Sequence, residues 1–321
     1  MSLPVLIDFF CWGPMNFYDR LPATAQAALD ASGIDPGELE NAFNLPPDAG
    51  LLLVGSHSDG RATEKSDLDF LVLLEEDEEL PGVDVGDTIS FSYGFLERKL
   101  VLLGTQEFDL EVMHWRHLHK LGQSLQDLSR LSSQSETSAS FPVFPLEEIR
   151  ALNRLRTGVP LRGMPRVERW RADLNLENLS LYRALSCFLN AMSWIEDAVN
   201  LQRAGAADFG PAVAARVGAE ELLLGTLAYH GHVLVDLRFA AHYSEVWKTS
   251  GDPIPNALDD MQGLLFPQSD SLTGYPNRIY KLAVELFHFY DQDRRQPGLV
   301  TGIRWFGRNR WHLDLSFLGL D

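Results

Sequence analysis

Cysteine is nearly absent from this sequence: Cys11 and Cys187 are the only two in 321 residues. Two thiols cannot build a disulfide framework, nor by themselves a zinc site. No run of apolar residues approaches the roughly twenty that a membrane-spanning helix needs. The first twenty residues, MSLPVLIDFFCWGPMNFYDR, carry Asp8 early and no basic leader, so no secretory signal is expected and a cytoplasmic protein is. Basic residues are scarce in one half of the chain. Residues 1–150 hold 26 acidic against 9 basic, the rest 19 against 18, and the formal net charge is −18. A protein that grips nucleic acid needs basic surface to replace phosphate counter-ions, so nucleic acid is not expected as a partner. An acidic surface steers cationic partners instead, although solubility alone explains it equally well.

What is present is ample apolar material, 45% of the residues, in a length that suggests two domains. Residues 22–43 read as helix, with Pro22 or Thr24 near the start and Pro36 opening a second segment. LLLVG (51–55), SDLDFLVLL (66–74), DTISFSY (87–93), FLERKLVLL (95–103) and EFDLEVM (107–113) read as strands, the first as a buried one closed by Gly55. Residues 114–130 turn helical, and the polar stretch SSQSETSAS (132–140) marks a boundary. Beyond it nearly everything reads as helix, including 175–205 with Gly205 as its C-cap, 211–230, 232–249 and 276–292. The expected fold class is α+β: a mixed-sheet domain over 1–140 followed by an α-helical domain over 141–321.

The chemistry concentrates in Gly55-Ser56-His57-Ser58-Asp59-Gly60-Arg61-Ala62-Thr63-Glu64-Lys65-Ser66-Asp67-Leu68-Asp69. Residues two apart on a strand point to one side, so Asp67 and Asp69 present two carboxylates together beside a Gly-Ser turn. Paired carboxylates there suit Mg²⁺, which takes hard oxygen ligands and shares its coordination with substrate phosphates. Two ions about 3.5–4 Å apart clamp the attacking and leaving oxygens of a phosphoryl displacement. Gly55 lets backbone approach a phosphate, and Ser56 offers a hydroxyl and an amide N–H. Arg61 and Lys65, between the two elements, are candidate triphosphate cations; Ser66 flanks them, and Lys281, Arg154, Arg156 or Arg162 are further candidates from outside the segment.

GSHSDGRATEKSDLDFLVLL resembles the signature of the DNA polymerase β-like nucleotidyltransferases: Gly-Ser, a dozen or so residues, then Asp-x-Asp in an apolar strand. The Gly60-Arg61 and Ser66-Asp67-Leu68-Asp69 details are most similar to small bacterial members, the aminoglycoside adenylyltransferases and minimal nucleotidyltransferases. The resemblance covers residues 50–115 and implies a palm-like catalytic domain. It implies Mg²⁺, two ions with Mn²⁺ as a substitute, held by Asp67, Asp69 and a third carboxylate on a neighbouring strand, and ATP or another nucleoside triphosphate as donor. EFDLEVM supplies the third acid as Asp109 or Glu111; Asp109 is favoured as nearer the strand start, and both stay open. The implied reaction moves a nucleotide, AMP from ATP, onto a hydroxyl of a small-molecule acceptor, a cationic one given the acidic surface. Two other readings share this layout: a minimal-nucleotidyltransferase antitoxin that binds or modifies a protein, and a synthase that joins two nucleotides for signalling.

Other clusters are read more plainly. His114, His117 and His119 crowd one helix without facing one way, so zinc is not expected there. His230 and His232 flank Gly231 at a helix break. Glu75–Glu79 reads as a solvated strand exit, and the Arg- and Trp-bearing C-terminus as a packed terminal strand or tail. Acceptor identity, base preference and oligomeric state have no readable code in the sequence.

Overall fold

The computed structural model describes residues 17–63, 66–75, 77–78, 89–93, 96–103, 106–129, 143–207, 209–235, 237–239, 264–266, 272–292 and 298–309. By its contacts the chain divides into two units, Met1–His119 with Arg154–Asp173, and Lys120–Asn153 with Leu174–Asp321.

The first unit opens with helices α1 (Ala23–Ser32) and α2 (Pro36–Phe43). Asp35 caps α2, its carboxylate accepting from the amides of Gly37 and Glu38, and Pro36 fits the first helical position because no helical partner is lost there. Strands follow: β1 (Gly50–Val54), β2 (Leu68–Leu74), β3 (Ile89–Tyr93), β4 (Leu96–Leu103) and β5 (Gln106–His114). The helix α3 (Trp115–Ser129) begins where β5 ends. After α4 (Leu146–Thr157), the chain adds β6 (Val159–Arg162) and α5 (Met164–Asp173) to this unit. Among the described residues, six strands form one mixed sheet in the order β3-β4-β5-β2-β1-β6, with β2 and β5 parallel and the other pairs antiparallel. β6 departs from the all-helical expectation beyond residue 141. Four residues with Pro160 give no alternating pattern, and it pairs at the sheet edge, where a missing N–H is tolerated.

The pleat decides what each face does. Phe70, Val72 and Leu74 of β2 and Phe108, Leu110 and Val112 of β5 point to one side, against Leu29 of α1 and Phe43 of α2. Phe43 meets Phe70 edge-on at 5.1 Å between ring centroids. The opposite face carries Asp69, Leu71 and Leu73 of β2 with Asp109 and Glu111 of β5, so the alternation that builds the core also sets the carboxylates together. Leu71 and Leu73 are buried as well, which is why β2 reads as a nearly continuous apolar run. α5 packs on β1 and β6, and its fully buried Trp170 lies 4.9 Å from the ring of Trp115.

The acidic exit of β2 is engaged rather than merely solvated. Glu78 binds both ends of the Arg166 guanidinium, at 2.5 and 3.0 Å. Glu75 pairs with Arg169 and accepts from Trp170 Nε1 at 3.4 Å. The hydrogen bond from Arg166 holds the Glu78 carboxyl below its ordinary range. These charges tie α5 to the end of β2.

In the second unit, α6 (Leu179–Arg203) and α7 (Phe209–Tyr229) pack through glycines. Gly225 lies against Cys187 and Phe188, and Gly218 against Ile195, where any Cβ would crowd its neighbour. α7 is apolar almost all round and is buried accordingly. α6 ends as expected: Gly205 takes φ +74° while the amides of Gly205 and Ala206 close on Gln202 and Leu201. Gly231, at φ +92°, ends α7 in the same way. That turn is why residues 232–235 are irregular instead of opening the helix expected over 232–249; Leu237–Phe239 form a 3-10 turn and 236 and 240–249 lie outside the described residues. Helices α8 (Tyr275–Gln292) and α9 (Gly298–Asn309) are the last described elements of this unit, and Tyr290 of α8 donates to Thr226 Oγ1 at 2.8 Å. Over residues 302–309 α9 replaces the expected terminal strand or tail with a helix, its Leu299 and Ile303, four apart, buried on one face; residues 310–321 lie outside the described residues. The polar boundary 132–140 lies outside the described residues. No described helix is long and apolar enough to cross a membrane.

Candidate active site

The site lies within the first unit, at the ends of β1, β2 and β5. In the β1–β2 ladder Val54 stands opposite Asp69, and in the parallel β2–β5 ladder Asp69 stands opposite Asp109. Gly55 follows Val54 at φ +73°, where a side chain is strained, and a Cβ there would collide with the Asp69 carboxylate. The turn therefore holds bare backbone against that carboxylate.

Internal hydrogen bonds shape the loop from Gly55. The Asp59 amide donates to Gly55 O at 3.2 Å, the Arg61 amide to Ser56 O at 2.8 Å, and Ser58 Oγ to Gly55 O at 2.9 Å. Ser66 Oγ accepts from the Thr63 amide at 2.8 Å. His57 is buried, with Nε2 3.2 Å from the carbonyl oxygen of Ser66 and Nδ1 3.4 Å from Thr24 Oγ1. A carbonyl only accepts, so Nε2 carries the hydrogen and Nδ1 faces the Thr24 hydroxyl. His57 thus ties α1 to the residue just before Asp67. Sequence reasoning passed over it, because a histidine between Ser56 and Ser58 carries no periodic signal.

Three carboxylates share the face: Asp69, Asp109 and Glu111. Asp109 and Glu111 are nearly buried, and Asp69 is partly exposed. Two guanidinium groups meet them. Arg98 of β4 donates through Nε to both oxygens of Asp109, at 2.7 and 2.8 Å, and its Nη2 lies 2.5 Å from Oδ2. Arg154, near the end of α4, sets Nη1 2.5 Å from Glu111 Oε1 and Nη2 3.9 Å from Asp69 Oδ2. Burial pushes Asp69 up from its ordinary 3.8 to about 6; Asp109 and Glu111 add to the rise, while Arg154 and Arg98 oppose it. Burial opposes the charge on Arg154, but Glu111 and Asp69 outweigh it and hold the guanidinium more firmly protonated. The hydrogen bond with Asp109 does the same for Arg98.

The other sequence candidates fall in different places. Asp67 is exposed just before β2. Arg61 forms an ion pair with Asp59 inside its own loop. Ser56 is half-buried in the turn, Lys65 lies outside the described residues, and Lys281 is exposed on α8 of the second unit. Arg98 was missed. The strand bearing it was legible, but the pairing that sets Leu100 opposite Asp109 and Arg98 opposite Glu111 was not.

Among the described residues no three His, Cys, Asp or Glu side chains form a ready metal cluster. The donors nonetheless fit a hard divalent cation. All are carboxylate oxygens on two adjacent strands. Glu111 Oε2 is buried without a hydrogen-bond partner. Two arginines face three carboxylates, so negative charge is in excess. Asp69 and Asp109 would hold the ion, with Glu111 beside it; Asp67, the further ligand expected from the sequence, is exposed two residues before Asp69.

Residues 38–123 match the family model of the nucleotidyltransferase domain. No curated protein matches the chain. The solved structure of a nucleotidyltransferase-like protein from Exiguobacterium sibiricum 255-15 is similar over 91% of this chain and 86% of its own. At 15% identity and a TM-score of 0.40, that likeness is too distant to carry anything about activity. The matched segment, similar to the nucleotidyltransferase domain, contains the Gly55-Ser56 turn and every carboxylate of the site, and a mostly helical region follows it.

Proposed function

We propose that this protein transfers a nucleotide, AMP from ATP, to a hydroxyl of a small-molecule acceptor in a divalent-metal-dependent reaction. The observation that carries this reading is the in-register pairing of Asp69 with Asp109 on parallel strands, beneath the glycine turn at Gly55. Bound Mg²⁺ would supply charge neutralisation for the triphosphate and for the leaving pyrophosphate.

The chain's own residues do the rest. The glycine at residue 55 lets the turn's backbone close on the Asp69 carboxylate and so fixes that carboxylate at the mouth of the site, where no side chain fits. Asp109 or Glu111 takes the proton of the acceptor hydroxyl. The acceptor oxygen then forms a bond to the α-phosphorus, the bond from the α-phosphorus to its β-bridging oxygen breaks, and pyrophosphate leaves. Arg154, fixed by Glu111, stands ready to meet developing negative charge. Phosphoryl transfer asks a protein mainly for such positioning and charge compensation. The surplus of acidic residues in 1–150 favours a cationic acceptor.

The test is thermal stability with each nucleoside triphosphate, with and without Mg²⁺. A ligand of the folded state at a hundredfold excess over its Kd adds about 2.7 kcal/mol. A Mg²⁺-dependent rise selective for ATP supports the reading. No rise with any triphosphate, confirmed by direct binding, overturns it.

A further inference from the structure

We propose that Arg98 is a built-in counter-ion for Asp109 that a divalent cation must displace, and that the displaced guanidinium passes to the triphosphate, coupling metal entry to nucleotide binding. This rests on the metal-dependent reading above and adds a residue that the reading does not require.

Three observations carry it. The first is competition for the same oxygens. Arg98 Nε donates to both oxygens of Asp109, at 2.7 and 2.8 Å, and Nη2 lies 2.5 Å from Oδ2. Mg²⁺ needs a carboxylate oxygen at about 2.0–2.1 Å, and a guanidinium bonded to both oxygens of Asp109 competes with it for those oxygens and repels it by charge. The second is the asymmetry of the pair. The Asp109 side chain is only 7% exposed, whereas that of Arg98 is 43% exposed. The carboxylate is fixed by the sheet, and the guanidinium can leave toward solvent without disturbing the core. Arg154 is different: at 19% exposure, between Glu111 and Asp69, it is built in. The third is position. Arg98 stands opposite Glu111 on β4, the strand beside β5, so its side chain shares the carboxylate face. Once released it stays within a side-chain length of any phosphate bound there.

The consequence is a linked exchange. A metal alone must break a charge-assisted fork and leave Arg98 to water. A metal–triphosphate complex brings both the cation that neutralises Asp109 and the anion that receives Arg98. The free enzyme would bind metal poorly and the nucleotide complex well.

The experiment measures Mn²⁺ affinity without nucleotide, by the paramagnetic signal of unbound Mn²⁺, for the whole protein and its Arg98→Ala, Arg98→Lys and Asp69→Asn variants. KM for ATP is measured in parallel. Arg98→Ala should tighten Mn²⁺ binding by about tenfold and raise KM for ATP by about tenfold, because a charge-assisted hydrogen-bonded pair is of that size. Arg98→Lys keeps the charge but not the fork, and should fall between. Opposite signs on the two constants separate this role from a structural one, which would weaken both. Unchanged or weaker Mn²⁺ binding in Arg98→Ala overturns the proposal. If Asp69→Asn abolishes Mn²⁺ binding at the same time, the metal site stands and only the exchange falls. Mn²⁺ binding that survives Asp69→Asn overturns both. A circular dichroism melt checks that each variant is folded.

Discussion

Replacing Asp69 by Asn should stabilise the metal-free protein above neutral pH, although it removes a charge that faces an arginine. Asp69 sits at about 6 against an ordinary 3.8, chiefly because burial penalises its charged form. A raised value means the folded state binds the proton more tightly than the unfolded one. The sign follows: the folded state suffers nothing from this group below about pH 4, loses stability as the pH rises, and carries the whole penalty above about pH 6. The difference of about two units, at about 1.4 kcal/mol each, sets that penalty near 3 kcal/mol. Attraction to Arg154 is already within this balance. Asn keeps the shape of the neutral acid, so Asp69→Asn should gain about 1–3 kcal/mol at pH 8 in chelator-treated buffer. About half of that gap should close by pH 5, where the wild-type acid is largely protonated. Urea titration at the two pH values measures both numbers. An Asp69→Asn variant less stable than wild type at pH 8 would mean that the contact with Arg154, at 3.9 Å, outweighs burial, and the electrostatic account of the site would be wrong.

Gly55→Ala should strain the turn by about 1–2 kcal/mol at its left-handed φ. It should also push the Asp69 carboxylate aside, lowering nucleotidyl transfer by roughly a hundredfold; full activity in a folded variant would refute the close approach. Arg166→Ala removes the partner of Glu78 and a donor to Leu73 O, and should lower stability by about 1–3 kcal/mol in urea titration. No change would show that α5 is held by Trp170 packing alone. Asp109→Asn and Glu111→Gln separate the candidates for the third carboxylate. The one that takes the proton should lose nucleotidyl transfer by about a hundredfold or more while the folded variant still binds Mn²⁺, and transfer kept in both variants refutes the proton-acceptor role.

The sequence disclosed the parts whose signal is local. LLLVG, SDLDFLVLL and EFDLEVM were legible as β1, β2 and β5 because a buried run and a half-buried alternation each mark a strand. Asp69, Asp109 and Glu111 were legible as candidates for the same reason: each breaks an apolar pattern at a strand's polar position. The rest depends on pairing between distant segments. Arg98 lies in a strand that could be read, yet its partner is fixed by the β4–β5 register, which no single strand encodes. Arg154 comes from a helix 43 residues beyond Glu111 in the sequence, and it was one of several arginines able to reach in. Arg61 shows the converse. Its place in the motif suggests a phosphate, and in the structure it forms an ion pair with Asp59, two residues away. β6 was hidden because four residues around Pro160 are too short to show a period.

The most direct measurement of the central claim follows α-labelled ATP in the wild-type protein and its Asp69→Asn variant. Both proteins are supplied with Mg²⁺ and a panel of hydroxyl-bearing cationic small molecules. Label should appear on an acceptor with stoichiometric pyrophosphate in the wild type, and be lost on chelation and in the variant while the variant stays folded. Label transferred equally by the Asp69→Asn variant, or undiminished by chelation, would contradict the proposed transfer.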